Sequence, residues 1–567
     1  MSLFRFRITV LLLLAFMLAL PDGQLQAQPQ PLPGMQEYHR QKELERQRRE
    51  GLQDEAPDVR LQPRTVPGET LAYPDNESPC FVINEIILEG EEAERFQWAL
   101  AGAEEAKGRC LGSQGFNVLM SRMQNLIVER GFVTTRLAAG PQDLTSGRLV
   151  LTLIPGRVRQ VRLAEDSGKY IFLWPNIPVK PGDILNLRDV EQGLENLKRS
   201  PNTEADIRIV AGEEAGESDL VVYWKQTRFL PLRFSLGVDD SGSKYTGKMQ
   251  GTATVSVDNL TGLSDMFYTS FSHNLERNDD FGTKAYSFYY SLPWGYNQLA
   301  FSTNYSTYHQ TVAGYYVNYE YSGRSNTTSL ELSRAIHRGS RSKTSVGAAA
   351  FASSYRNFID DVELKIQRRR MGGWEAFLRH HHIAGVLTLD GELRYRRGTG
   401  AFRSLRAPEE DVREGTSRPS ILNFSLRGQY PFQVAGQNFR YIGQWRSQWA
   451  FCRLIFHDRF SIGGRYSVRG YDGNMSLAAD NGFNFRNELG WNVVNSGQEL
   501  YLAFDVGHVR GPMDEYLLGR TLSGAAVGLR GAIKGLRYDF FASTPVHRPD
   551  KFPGNWLVTG FNVVWNF

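Results

Sequence analysis

The chain has 567 residues with 65 basic and 61 acidic side chains, a net charge of +4 that excludes global attraction to nucleic acid. A mean hydropathy of -0.39, with no apolar run long enough to span a membrane beyond the leader, excludes a spanning helix but leaves open strands that alternate their apolar residues. Aromatic residues at 12% and 55 glycines favour many strands joined by tight turns.

The first 27 residues read as a signal peptide: Arg5 and Arg7 precede an apolar run over 8–20, and Ala27 supplies a small residue for cleavage. Export places the mature chain in an oxidising compartment. Cys80 and Cys110 fall within one predicted domain and are candidates for a disulfide, which leaves Cys452 unpaired. Residues 28–52 hold good helix formers, with Glu45 and Arg49 at favourable spacing. Met35, Tyr38 and Leu44 are the only apolar residues over 35–50, so this helix is polar on every side and has to sit in water or in an aqueous cavity. Residues 53–79 are Pro-rich and acidic, as a linker is.

Two small α/β units are predicted at 80–156 and 157–227. The first has a strand over 81–88, a helix over 96–105 and a second helix on which Phe116, Leu119, Met120, Met123 and Ile127 share a face; strands over 133–138 and 148–154 follow. In the second unit a strand over 158–163 comes first. Asn186 caps a helix with Leu187, Val190, Leu194 and Leu197 on one side, and strands over 206–210 and 220–224 close the unit. The order β-α-α-β-β occurs twice, the second time with its first helix undetermined.

From 228 to 567 the pattern turns to long alternating strands. Leu387, Leu389, Leu393 and Tyr395 alternate with Thr388, Asp390, Glu392 and Arg394, and the chain ends with Phe561, Val563, Trp565 and Phe567 on one face. At about ten residues per membrane strand, this region accommodates roughly sixteen strands of a transmembrane β-barrel. One stretch, a long loop at about 461–481, mixes glycines with apolar residues at a density unlike a solvated linker. Within it Arg469 would be costly in a barrel lumen without an acid. Alternation of Leu500, Leu502, Phe504 and Val506 turns Asp505 inward, and a charge-assisted Arg469 to Asp505 contact is the expected tether. His380, His381 and His382 cannot converge on a metal, because neighbours in a strand face opposite ways. No hydrolase, zinc-protease or phosphate-loop motif occurs, so neither catalytic residues nor cofactors are expected.

Val468, Arg469, Gly470 and Tyr471 resemble the VRGY motif of the sixth loop of the BamA/TpsB superfamily of outer-membrane barrels, and Phe504, Asp505, Val506 and Gly507 resemble its F-D-x-G wall segment. Asn259 to Asp265 resembles, in degenerate form, the N-P-L-G-x-x-D turn of that family. Two periplasmic units similar to POTRA domains and a polar N-terminal helix narrow the resemblance to the two-partner secretion transporters, similar to ShlB, FhaC and HecB. The resemblance implies an outer-membrane barrel, monomeric, with its N-terminal domains in the periplasm and the helix over 35–50 plugging the lumen. It further implies export of one cognate, unfolded, large β-helical exoprotein such as a haemolysin, adhesin or contact-dependent toxin, captured by the POTRA domains. A barrel-assembly factor and a barrel enzyme are the competing readings.

Overall fold

A computed structural model describes residues 35–54, 58–61, 72–228, 230–313, 317–493 and 496–567; the leader lies outside them. Sixteen long antiparallel strands, from Leu232–Asp239 to Val558–Asn566, close into a barrel, and the two-residue segment Val362–Glu363 extends one hairpin beyond the rim. Closure follows from the solvent: in lipid, a strand edge with unpaired N–H and C=O groups costs several kcal/mol per group (about). The first and last strands meet over the pairs from Asn562↔Asp239 to Asn566↔Ser235, a shorter register than any other long-strand neighbours share.

Most turns at the inner rim, the end from which the first strand starts, are tight. Ala435 and Gly436 join two strands at φ 49° and 76°, and Lys534 and Gly535 do so at 45° and 85°. Both central residues at positive φ match the right-handed twist of the flanking strands. The opposite end carries the long connections, including the one between Gln437–Ala450 and Asn481–Val493.

The two periplasmic units each enclose their own apolar core. The stretch 81–88 is not one strand: it breaks at Asn84 into Phe81–Ile83, which pairs with Arg109–Leu111, and Glu85–Gly90, which runs parallel to Arg148–Ile154. Where a helix was expected over 96–105, Ala93–Ala106 winds as a 3₁₀ helix that buries Ala93, Phe96, Ala99, Ala103 and Ala106. Spacings of three, broken once by the four from Ala99 to Ala103, and mostly alanine, let the tighter turn lay one narrow face on the core. The expected strand over 133–138 is confined to Arg136–Ala138. Helix Ser113–Glu129 has no cap of its own, and the Glu77 carboxylate accepts from the N–H groups of Gly112 (2.7 Å), Gln114 (2.8 Å) and Gly115 (2.8 Å). Those are the donors that a helix start leaves orphaned, and an anion there also opposes the helix dipole. Cys80 and Cys110 are disulfide-bonded, and Cys452 is free.

In the second unit the undetermined first helix is a single turn, Leu173–Asn176. Asn186 accepts from the Arg188 N–H at 2.8 Å and starts helix Leu187–Leu197. That helix seats the unit on the barrel: Arg338, beside an inner turn, donates to Glu195 (2.6 Å), Gln192 (2.9 Å) and the Val59 carbonyl (2.8 Å). Residues 58–61 are thus held between barrel and periplasmic unit, with the Leu61 N–H on Glu191 at 2.6 Å.

Candidate functional site

The polar helix Met35–Asp54 lies inside the barrel. Near its N-terminal end Glu37 accepts from Thr246 Oγ1 (2.9 Å), Tyr38 meets the Tyr355 hydroxyl (3.0 Å) and His39 Nε2 meets the Phe456 carbonyl (3.2 Å). Those partners belong to the outer half of the lumen, whereas residues 58–61 sit at the inner turns. The helix therefore crosses the lumen with its N-terminus outward. A helix without an apolar stripe suits this place because the wall is equally polar: Arg394 donates to Glu375 (2.7 Å) and Glu392 (2.8 Å), and Arg379 pairs with Glu331 (2.9 Å). Beside the helix a cavity of about 1180 Å³ remains, bordered by Tyr38, Glu43, Glu375, Arg394 and Arg446.

The loop folds back into the barrel from the outer end. Phe460–Ile462 pairs with Leu477–Ala479 at its neck. Ser467 Oγ accepts from the Gly463 N–H (3.1 Å), and Asn484 holds the Ser467 carbonyl (3.0 Å). This compact turn presents Arg469 to the wall. Its Nε and Nη2 donate to the two Asp505 oxygens at 2.7 Å each, its backbone N–H donates to Oδ2 at 3.0 Å, and Nη1 donates to Glu488 at 2.8 Å. Arg469 is 5% exposed and Asp505 fully buried. A fork of this kind on two carboxylates is the geometry in which a buried charge is tolerated.

The remaining motif residues shape the fit. Val468 is buried and packs in an apolar cluster with Phe460, Ile462, Tyr471, Leu477 and Leu522. Tyr471 donates to the His547 carbonyl at 2.7 Å. Gly470 stands at φ 102°, and a Cβ there would lie 2.5 Å from the Thr544 carbonyl oxygen. On the wall, a Cβ at Gly507 would come within 2.9 Å of Ile462 and Val468, and one at Gly524 within 1.8 Å of the Arg469 carbonyl. Glycine lets the loop backbone lie directly on the strands. Phe504 makes no contact with the loop: its ring is on the outer, lipid-facing side of the strand Gln498–Arg510.

Sequence reasoning missed three partners. Glu488 shares a face with Asn484 and Arg486 in Asn481–Val493, so period-two alternation could have found it. Arg446 donates to Glu43 of the helix (3.2 Å) and to the Tyr466 carbonyl of the loop (3.4 Å), tying the two together. Arg465 pairs with Asp240, which also accepts from the Phe561 N–H at 2.9 Å, so the loop reaches both strands of the closing seam. No sequence pattern announces either contact. Of the three consecutive histidines, His381 lies between Asp390 (2.6 Å) and Asp58 (3.3 Å), and the rings of His380 and His382 stack at 6.0 Å. No metal-holding cluster occurs among the described residues.

Comparison with known proteins agrees with this architecture. Residues 216–531 match the family of haemolysin secretion/activation proteins ShlB/FhaC/HecB, residues 81–156 the ShlB-type POTRA domain and residues 157–211 a POTRA domain. The chain is 33% identical over 522 residues to the outer membrane transporter CdiB-2 of Burkholderia pseudomallei, covering 88% of each. It is 24% identical over 439 residues to the hemolysin transporter protein ShlB of Serratia marcescens, covering 76% of this chain and 75% of that one. The solved structure of CdiB from Acinetobacter baumannii superposes with a TM-score of 0.81 at 30% identity, over 94% of this chain and 99% of that one. Members of the family are transporters. The chain belongs to the ShlB/FhaC/HecB family and is an outer-membrane transporter of two-partner secretion, with its POTRA domains in the periplasm.

Proposed function

We propose that this transporter moves one cognate exoprotein, unfolded, through a lumen that the helix Met35–Asp54 and the loop hold shut at rest. The cargo is a large β-helical protein of the haemolysin, adhesin or contact-dependent inhibition class, and the transporter acts as a monomer without catalysing a reaction. Arg446 is the observation that carries this reading: one side chain engages both the helix and the loop, so displacing either loosens the other. Arg469 keeps the loop from leaving with the helix, because its guanidinium is bonded to Asp505 and Glu488 on the wall.

Capture begins in the periplasm. The sheet of the second unit has the order Arg157–Leu163, Glu217–Gln226, Thr203–Ala211, which leaves two edges. An unfolded chain adds there as a further strand, with affinity from main-chain hydrogen bonds and little demand on sequence. The chain has no phosphate-binding loop, and folding of cargo outside the cell supplies direction. Deleting the gene in its own host tests the reading: one large protein is expected to vanish from the cell surface and medium while other outer-membrane proteins keep their levels. General loss of outer-membrane proteins would instead assign the chain to barrel assembly.

A further inference from the structure

The second periplasmic unit exposes three large aromatic side chains that its core does not use. Tyr170, Phe172 and Trp174 are 58%, 53% and 72% exposed, while Ile171 between them is buried in the unit's apolar core and Leu173 packs against it. The alternation makes a row of rings on one side of the segment. Aromatic side chains of this size, grouped and uncovered, mark a contact surface.

Where the segment lies identifies the partner. The Tyr170 hydroxyl donates to the Leu260 carbonyl (2.8 Å), Asn259 donates to the Tyr170 carbonyl (2.9 Å) and the Phe172 N–H donates to the Gly262 carbonyl (2.8 Å). At its other end the Gly295 N–H donates to the Pro175 carbonyl (2.6 Å). The segment thus runs along the inner rim from the first inner turn, 259–265, to the second, at Gly295. Both turns carry apolar side chains on the outside: Leu260 is exposed, and Trp294 shares the exposed parity of Tyr286 and Phe288 on strand Phe281–Trp294, whose Ala285, Ser287 and Ser291 are buried. The three rings therefore continue the lipid-facing surface of the barrel below its inner edge.

We infer that Tyr170, Phe172 and Trp174 form a foot that seats the second periplasmic unit in the headgroup region of the inner leaflet of the outer membrane. Tyr and Trp are suited to that depth, where an apolar ring meets hydrocarbon and its polar edge meets water. A cargo strand is disfavoured as the occupant, because the segment has little free main chain to pair: the Phe172 N–H and the Tyr170, Phe172 and Pro175 carbonyls are already bonded within the protein. The foot fixes the unit's tilt relative to the barrel mouth.

The test uses the full-length protein with Cys452→Ser, Cys80 and Cys110 remaining oxidised, and Trp174→Cys or Phe172→Cys labelled with an environment-sensitive fluorophore. Glu213→Cys, at the end of the unit remote from the barrel, is the reference. In phosphatidylethanolamine and phosphatidylglycerol vesicles without cargo, the 172 and 174 probes are expected to emit further to the blue and to be quenched by doxyl-labelled lipid several times more than the 213 probe, with the reverse ranking for aqueous iodide. Iodide quenching at 172 and 174 equal to that at 213, with no effect of doxyl lipid, overturns the proposal and assigns the rings to a protein partner. Two label sites keep the outcome readable if one variant fails to fold.

Discussion

At the scale of single residues, the loop's hold on the wall rests on a desolvated ion pair made worthwhile by the number of bonds it satisfies. Removing one partner of such a pair leaves the other charge buried and costs about 3–5 kcal/mol. Arg469→Ala is therefore expected to reduce secretion sharply while the barrel remains inserted, as read by exoprotein in the medium against heat-modifiable mobility of the barrel. Arg469→Lys should restore little, since an ammonium cannot fork onto Asp505 and still reach Glu488. The inward position of Asp505 could be read from the sequence because alternation in a strand is a local property. The same rule applied to Asn484, Arg486 and Glu488 also yields the second acid, but only once strand Asn481–Val493 has been placed beside Gln498–Arg510. What alternation does not yield is the close approach at Gly524, which depends on how deep the loop inserts.

At the scale of elements, the helix Met35–Asp54 shows where sequence reasoning stops. Its polar circumference fits water and a polar lumen equally well, and only contacts such as Glu43 to Arg446 distinguish them. Deleting residues 35–50 is expected to raise the conductance of the protein in planar bilayers; parental conductance would show that the helix blocks nothing. The 3₁₀ winding of Ala93–Ala106 was equally illegible, since an alanine-rich stretch meets a core at spacings of three or four alike. In the second periplasmic unit, a register shift between Val158 and Gln160 turns Arg159 onto Asp219, with bonds of 2.8 and 2.7 Å and a third from Gln160 at 2.9 Å. These bonds, Arg159's first, hold the Asp219 carboxyl down at about 2. A lowered folded value means stability that is present above the unfolded carboxylate range and lost as pH falls toward the folded one. Denaturation of the isolated contact is not needed to see it: Asp219→Asn should flatten the acid limb of the unit's stability between about pH 4 and 2, measured by hydrogen exchange in the full chain.

At the scale of the whole molecule, the seam between the first and last strands is the shortest register between long strands of the barrel, from Asn562↔Asp239 to Asn566↔Ser235. Action on a client in lipid would require the first and last strands to part, whereas passage of cargo along the axis would leave them paired. Gly237 and Val564 face each other across the seam, and a Cβ at Gly237 would meet Val564 at an ordinary 3.6 Å. A disulfide between Gly237→Cys and Val564→Cys is expected to leave export intact; export that returns only on reduction would mean that the seam must open.

The direction of the lumen helix sets the order in which this molecule can be put together and the way it can be opened. Its N-terminal end is at the outer mouth, yet the first strand starts at the inner rim, so the polypeptide is threaded through its own ring like a cord through a bead. A ring that closes before the cord is in place would have to draw it through afterwards. Residues 58–61 are fastened at the inner rim and a 20-residue helix spans about 30 Å, so the cord clears the lumen toward the periplasm only once that fastening is released. An epitope placed ahead of Met35 should accordingly be reachable by antibody from outside intact cells at rest and disappear from view while cargo is passing.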